Sequence, residues 1–173
     1  MPASPRIAST ADVARRLQPV VVGGDILAYS YVRELHRAYG VERTIVLATQ
    51  DIKMLSSSRF TDYRLEPLIH EPEGLYDALE RVAAPVRAED PDRVLLVLGC
   101  DDCHARMLSS RKPRLAAAGH TVPYIDLDLP DDLQQKRRLY DPCDALDIPH
   151  PRTRSFACGE TGPAATPASA LPS

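Results

Sequence analysis

The chain has 173 residues, 44% of them hydrophobic and 26% charged, which gives room for one domain with a proper core but not for two. Its formal net charge is −3, and its Lys, Arg, Asp and Glu residues are interspersed, so it lacks the basic surface that nucleic-acid binding requires. No apolar run approaches the roughly 18 residues of a membrane span, and no hydrophobic signal region precedes Leu17. We therefore expect a cytoplasmic protein with no membrane span, whose four cysteines are reduced thiols.

The most informative stretch is a β-branched run, Val20 to Val22, which is followed by Gly23, Gly24 and Asp25. It predicts a buried parallel strand, a tight turn and a helix whose first turn Asp25 caps. Such a turn presents backbone N–H groups beside a helix N-terminus, where an anionic or polar ligand can be held. The two glycines do not form a G-x-G-x-x-G motif, so a purely structural turn is the alternative.

The rest of the chain alternates helical and strand patterns. Because a strand–helix–strand unit closes as a right-handed parallel crossover, the alternation predicts an α/β fold, namely a Rossmann-like parallel sheet with helices on both faces. After the opening strand and turn, the predicted elements are a helix from Ala28 to Gly40, a strand over 44–48, a short strand over 63–68, a helix over 74–86, a strand over 93–99, a helix over 102–110 that restarts near Pro113, a strand over 121–127 and a helix over 130–146.

The predicted organisation has four parts: a flexible lead-in over 1–14 with at most a short helical end, the α/β domain over 15–129, a connecting helix and strand over 130–157, and a disordered Pro/Ala/Ser/Thr tail over 158–173. The polar stretch from Thr49 to Phe60 follows a strand on the side where open α/β sheets collect ligands. It is a candidate substrate loop, with a solvated serine loop as the alternative.

One short motif, Cys100-Asp101-Asp102-Cys103-His104, allows several interpretations. The C-x-x-C-H spacing matches covalent haem attachment, and C-x-x-C also supplies half of a zinc site or a thioredoxin-like redox pair. Neither an export signal nor a second metal-binding pair accompanies it, and two adjacent aspartates should raise the pKa of a thiol. The simplest interpretation makes Cys100 a small buried residue, with Asp101 or Asp102 capping the following helix.

The stretch from Val20 to Thr153 resembles the N-terminal, pre-ATP-grasp part of ATP-grasp carboxylate–amine ligases of the D-aspartate ligase type. The helix and I-P-x-P-x-T segment around Lys136 and Ile148 are the most specific part, because they look like the entry into an ATP-grasp domain. The residues that carry the resemblance are Val22-Gly23-Gly24-Asp25, Ala28-Tyr29-Ser30, Ala38-Tyr39-Gly40, Leu96-Val97-Leu98-Gly99, Asp102, Val122-Pro123-Tyr124-Ile125-Asp126, Lys136, Tyr140, Cys143 and Ile148-Pro149-His150-Pro151-Arg152-Thr153.

The resemblance implies a substrate cleft on this domain, formed by Gly23, Gly24, Asp25, Ser30 and Asp102. It implies that later domains bind ATP and Mg²⁺, activate a carboxylate as an acyl phosphate and deliver it to an amine, with Lys136 matching an early lysine that contacts the ATP phosphates. It assigns no catalytic residue and no metal ligand to this chain.

The sequence departs from the family after Thr153, where the glycine-rich flap, the later ATP lysine and the acidic magnesium ligands are not found. We therefore expect a truncated or frameshifted copy that binds no cofactor tightly and is inactive unless a separate chain supplies the missing domains. The expected partners are an amino acid or peptide precursor, and a separate ATP-grasp chain or a second copy in a homodimer. The alternatives are a non-enzymatic small-ligand binding module and, third, a C-x-x-C redox or metal protein.

Overall fold

The computed structural model describes residues 9–125 and 136–151, and for 136–139 it describes the backbone only. The chain forms two compact units, one ending at Leu127 and the other beginning at Asp128. The elements of the first unit are α1 (Thr10–Arg16), β1 (Leu17–Val22), α2 (Ile26–Tyr39), β2 (Thr44–Ala48), α3 (Lys53–Ser56), β3 (Thr61–Leu65), α4 (Pro72–Glu89), β4 (Val94–Gly99), α5 (Asp102–Ser110), α6 (Lys112–Ala117) and β5 (His120–Thr121).

The five strands make one parallel sheet in the order β3-β2-β1-β4-β5. The chain moves outward from β1 through β2 to β3, and it then crosses back to place β4 on the other side of β1. Each helical connection returns the chain to the same end of the sheet, as parallel pairing demands. The predicted Rossmann-like α/β fold is confirmed.

Side chains of the central strands alternate between two separate cores. Val20 and Val22 of β1 face the helices α4, α5 and α6, and the intervening Val21 faces α2 and α3. Because both faces of the sheet are covered, the central runs Val20–Val22, Ile45–Ala48 and Val94–Leu98 are apolar without polar alternation, whereas the edge strand β3 carries Asp62 and Arg64. The larger core also contains Ile45, Leu47, Leu79, Leu95 and Leu108, and the smaller one contains Ala28, Val32, Val46, Leu55 and Cys100.

The structure differs from the sequence prediction at both ends of the first unit. The short helical end allowed for the lead-in is α1, which extends beyond residue 14 to Arg16, because Ser9 caps its first turn and Asp12 pairs with Arg15. The strand predicted over 121–127 is limited in the described residues to His120–Thr121, since Pro123 has no N–H to donate to a ladder. Asp126, which was expected at the end of that strand, lies outside the described residues.

The described part of the second unit is a helix, α7 (Lys136–Ala145), followed by a turn. Pro142 lies inside this helix, as the sequence predicts, and the helix ends three residues later. The Ile148 N–H donates to the Cys143 carbonyl over 2.8 Å, and His150 Nε2 lies 2.8 Å from Asp144 Oδ1. Within residues 9–125 and 136–151, no helix has both the length and the apolar character needed to cross a membrane.

Replacement of Leu79 by Ala tests the larger core. Leu79 is fully buried, whereas Leu65 on the edge strand is 57% exposed. We expect Leu79→Ala to lower the free energy of unfolding by about 3 kcal/mol, because a cavity remains in a closely packed core, and Leu65→Ala to lower it by less than about 1 kcal/mol. Urea unfolding followed by circular dichroism measures both; equal losses would contradict the described packing.

His120 provides a pH test of the same unit. Burial, reinforced by the positive charge of Arg87 and opposed by Glu80, lowers the pKa of His120 from 6.5 to about 4. The unfolded state therefore binds more protons between these two values, and the free energy of unfolding falls as the pH falls through that window.

The variant His120→Leu lacks this titration. Between pH 7 and pH 4.5, its free energy of unfolding should rise relative to that of the parent chain by about 2 kcal/mol. Urea titrations of both chains at a series of pH values measure the difference. If the difference in the free energy of unfolding between the two chains does not change with pH, His120 does not titrate as described.

Candidate functional site

The site lies where the strand order reverses, at the carboxyl ends of β1 and β4. These strands are hydrogen-bonded neighbours, with Val22 in register with Gly99. The connections that follow them run to opposite sides of the sheet, which leaves a crevice at this edge. Ligands of open α/β sheets bind in such crevices. Two turns border it, Gly23-Gly24-Asp25 after β1 and Cys100-Asp101-Asp102 after β4.

The two turns touch at Gly23 and Cys100. Gly23 has a φ of +124°, and a Cβ atom on it would lie 2.6 Å from Cys100 Cβ, so no side chain fits at this position. The Gly23 N–H donates to the Leu47 carbonyl and the Cys100 N–H to the Val22 carbonyl, both over 2.9 Å. The pairing of the strands thus continues into the turns and fixes their separation.

Each turn ends in an aspartate that caps a helix. Asp25 Oδ1 accepts hydrogen bonds from the N–H groups of Leu27 and Ala28 over 2.9 and 3.0 Å. Asp101 Oδ1 accepts one from the His104 N–H over 2.7 Å. Asp101 is therefore the cap of α5, and Asp102 is its exposed first residue. Both helices begin at the crevice, so their N-terminal N–H groups and dipoles are directed toward it.

Cys100 lies between the two capping aspartates. Burial, together with the negative charges of Asp25 and Asp101, raises the pKa of the Cys100 thiol to about 12. A thiol in this state remains protonated near neutral pH, whereas a thioredoxin-like role requires a readily formed thiolate. Cys103 is exposed, and Cys100, Cys103 and Cys143 are all free thiols. The geometry thus supports the structural interpretation of Cys100.

Two tyrosines hold the backbone on either side of the crevice. Tyr124 Oη accepts from the Gly99 N–H over 2.6 Å and donates to the Gly99 carbonyl over 3.1 Å, which ties down the end of β4. Burial raises the pKa of the Tyr124 phenol. Tyr63 Oη donates to the Gln50 carbonyl over 2.5 Å and accepts from the Ile52 N–H over 3.2 Å, next to Gly24. Nothing in the sequence pattern indicated the position of Tyr63.

The structure places some of the residues predicted for ligand binding at the crevice and others away from it. Gly23, Gly24 and Asp25 form one border of the crevice, and Asp102 lies at the other. Ser30 lies further along α2, and its hydroxyl donates to the Ile26 carbonyl over 2.9 Å, so its proton is used within its own helix. Lys136 is the first described residue of α7 in the second unit, and its side chain lies outside the described part of the structure.

A histidine pair beside the β4 turn was not predicted. His104 is fully buried, its Nδ1 lies 3.0 Å from Asp101 Oδ2, and its ring stacks on His70 with centroids 4.8 Å apart. Burial lowers the pKa of His104, and the Asp101 carboxylate acts in the opposite direction. His70 follows β3, and β3 ends at the same edge of the sheet as β4, which Asp101 follows. This position after a strand is the sequence signal that could have linked His70 to Asp101.

Two cavities lie away from these turns. One of about 400 Å³ is at the opposite, amino edge of the sheet and is lined in part by Arg15, Gln18, Arg43 and Arg93. Another of about 350 Å³ lies beside α2 and α3 and is lined in part by Arg33, Lys53, Ser57, Ser58 and Arg59. The stretch from Thr49 to Phe60, predicted as a candidate substrate loop, borders this second cavity.

The contact between the turns is tested by Gly23→Ala. A Cβ atom at Gly23 meets both an unfavourable φ and Cys100, so we expect a loss of about 3 kcal/mol in the free energy of unfolding. Gly40→Ala is the matched control, because Gly40 has a φ of +70° but no atom within 3.9 Å of the added Cβ. Gly40→Ala should lower the free energy of unfolding by about 1 kcal/mol. Chemical denaturation measures both, and equal losses would exclude a steric role for Cys100.

The state of the Cys100 thiol is tested by alkylation. With a pKa of about 12 and a buried side chain, Cys100 in the folded chain should react with iodoacetamide at pH 8 far more slowly than the exposed Cys103. Peptide mass spectrometry over time separates the two sites, and the unfolded chain in urea provides the reference rates. Similar rates at both sites in the folded chain would show that Cys100 is accessible and activated.

Comparison with known proteins supplies one relative. D-aspartate ligase of Enterococcus faecium (strain Aus0004) is 26% identical to the chain over 135 residues, which is 78% of this chain and 31% of that protein. No family model matches the chain, and no solved structure matches it. The chain is therefore distantly related to D-aspartate ligase and spans less than a third of its length.

Proposed function

We propose that the α/β domain is the N-terminal substrate-cleft domain of an ATP-dependent carboxylate–amine ligase. One observation carries the proposal: in a distant relative of D-aspartate ligase, the turns at Gly23–Asp25 and Cys100–Asp102 meet at the point where the strand order reverses. The proposed ligand is the amino acid that supplies the amine, and D-aspartate is the first candidate because of the relative's name.

The chemistry of the crevice suits an amino acid. Asp25 and Asp102 are exposed carboxylates at its two borders and can pair with an ammonium group. Asp25 and Asp101 accept from the N–H groups of Leu27, Ala28 and His104, so a ligand carboxylate would be held by the other first-turn N–H groups and the positive dipole ends of α2 and α5. A ligand that carries both groups, as every amino acid does, is complementary to this combination.

The same edge does not fit ATP. Its two turns carry Asp25, Asp101 and Asp102 and contain no Lys or Arg, so a triphosphate would meet like charge. In the proposed ligase, ATP and Mg²⁺ supply the activation of the carboxylate, and Lys136 is proposed from the family resemblance as a phosphate contact. The role of the described crevice is confined to the amino acid.

The crevice contributes by positioning the amino acid. Because Gly23 has no side chain, its turn lies directly against Cys100, which fixes the two borders of the crevice relative to each other. The hydrogen bonds of Tyr124 and Tyr63 hold the neighbouring backbone in place, so little reorganisation accompanies binding. An amine held in one orientation reacts with an activated carboxylate at a lower entropic cost.

The proposal is tested by thermal unfolding in the presence of D-aspartate or succinate. Succinate has both carboxylates of aspartate but no amine, so it isolates the contribution of the ammonium group. At ten times its dissociation constant, D-aspartate should stabilise the chain by about 1.4 kcal/mol, which raises Tm by a few degrees. Succinate should give a clearly smaller rise at the same concentration.

Asp25→Asn should abolish most of the rise in Tm that D-aspartate causes, because asparagine keeps the oxygen that caps α2 but lacks the negative charge that pairs with the ammonium group. Asp92→Asn is the matched control; Asp92 is an exposed aspartate just before β4, at the opposite edge of the sheet. Equal shifts with D-aspartate and succinate, or an effect that Asp25→Asn leaves intact, would contradict the assignment of the amine site.

A turnover assay separates a ligase domain from the alternative, a binding module without chemistry. Release of ADP from ATP–Mg²⁺ is measured with the chain, a separately supplied ATP-grasp chain, a carboxylate-bearing peptide precursor and D-aspartate. Turnover that requires D-aspartate and is lost with Asp25→Asn supports the ligase. D-aspartate binding without turnover under any of these conditions favours the binding module.

A further inference from the structure

We propose that His70, Asp101 and His104 form a binding site for one divalent transition-metal ion, with Zn²⁺ as the best-matched ion. One ligand atom from each of the three residues lies within 4.8 Å of the others. Asp101 stands in a turn that borders the proposed amino-acid crevice, but the carboxylates proposed to bind the amino acid are Asp25 and Asp102. The metal site therefore does not depend on the proposed ligase function.

The first argument is the state of the buried histidine. His104 is fully buried, and two polar groups face its ring, Asp101 Oδ2 at 3.0 Å from Nδ1 and the Ile69 backbone. Neither makes a hydrogen bond of normal geometry with a ring nitrogen. A buried polar group without a partner costs about 1–3 kcal/mol, so such groups are rare unless they have a function. A metal ion between Nδ1 and the Asp101 carboxylate would give the ring the missing partner.

The second argument is the spacing of the ligand atoms. Ligands at 2.0–2.1 Å from a tetrahedral Zn²⁺ are separated from one another by about 3.3 Å. His104 Nδ1 and Asp101 Oδ2 are 3.0 Å apart, close to that spacing. The side chain of Asp101 is 44% exposed and His70 is an exposed residue. Both side chains can therefore move to bring the three ligand atoms from within 4.8 Å of one another to the spacing of about 3.3 Å.

The third argument is the support around the ligands. Asp101 Oδ1 accepts from the His104 N–H, so one carboxylate oxygen is anchored and the other is available. The His70 ring stacks on that of His104 at an interplanar angle of 20°. Two imidazoles and one carboxylate favour Zn²⁺ or a similar transition ion over Mg²⁺ and Ca²⁺, which prefer oxygen ligands. Three protein ligands leave the fourth position of a tetrahedral ion open to water or a small molecule.

The test is isothermal titration calorimetry of the tag-free 173-residue chain with ZnCl₂ in a non-chelating buffer. We expect one Zn²⁺ per chain. Because loss of even an outer-shell partner weakens metal binding by 10–100-fold, His70→Ala and Asp101→Asn should each lower the affinity by at least about tenfold. Both residues are exposed, and asparagine preserves the helix cap, so both variants should fold; circular dichroism verifies this.

Two controls define the site. His150→Ala removes a histidine from another His–Asp pair, in which His150 Nε2 lies 2.8 Å from Asp144 Oδ1, and Cys103→Ser removes the exposed thiol. Neither should change the affinity. The absorption spectrum with Co²⁺ as a substitute ion should show nitrogen and oxygen ligation without a thiolate charge-transfer band.

The proposal is overturned if no saturable Zn²⁺ binding occurs or if His70→Ala and Asp101→Asn leave the affinity unchanged. It is also overturned if Cys103→Ser abolishes binding or the Co²⁺ complex shows thiolate ligation. These outcomes are independent of D-aspartate binding, because the calorimetry contains no amino acid.

Discussion

The close approach of Gly23 to Cys100 is the contact on which the candidate site depends. Because of this contact, β1 and β4 stay paired up to their last residues, Val22 and Gly99, although the helices that follow them, α2 and α5, lie on opposite faces of the sheet. A side chain at Gly23 would separate the two turns and remove the crevice at the reversal of strand order. The helix caps at Asp25 and Asp101 then follow from the same geometry, because each turn must deliver the chain into a helix within three residues.

The carboxyl edge combines two opposing electrostatic features. The N-termini of α2 and α5 are positive, and the aspartates that cap them are negative. Burial and the negative charges of Asp25 and Asp101 keep the Cys100 thiol protonated. Burial also favours the neutral form of His104. This combination is the basis for the two proposals, an amino acid at the crevice and a metal ion beside it.

The sequence allowed the α/β fold, the order of the major elements and the turn at Gly23–Asp25 to be predicted, because helical periodicity, valine-rich runs and capping residues are local signals. Helix α1 was predicted only as a short helical end of the lead-in, because its seven residues carry few local signals beyond the Ser9 cap and the Asp12–Arg15 pair. The short extent of β5 reflects Pro123, whose effect on pairing depends on neighbouring strands. The pairing of His70 with Asp101 and His104 was not predictable, because it joins the segments after β3 and β4, which are about thirty residues apart in the chain and are separated in the sheet by β2 and β1. No local pattern encodes such a contact.

The central claim, that the crevice between β1 and β4 is the amino-acid site, is tested most directly by nuclear magnetic resonance of the ¹⁵N-labelled chain titrated with D-aspartate. The account predicts saturable shifts of the backbone amides in the two turns, at Gly23, Gly24, Asp25, Asp101 and Asp102. Shifts confined to the cavity at the amino edge, near Arg15, Arg43 and Arg93, or no saturable shifts at all, would contradict it.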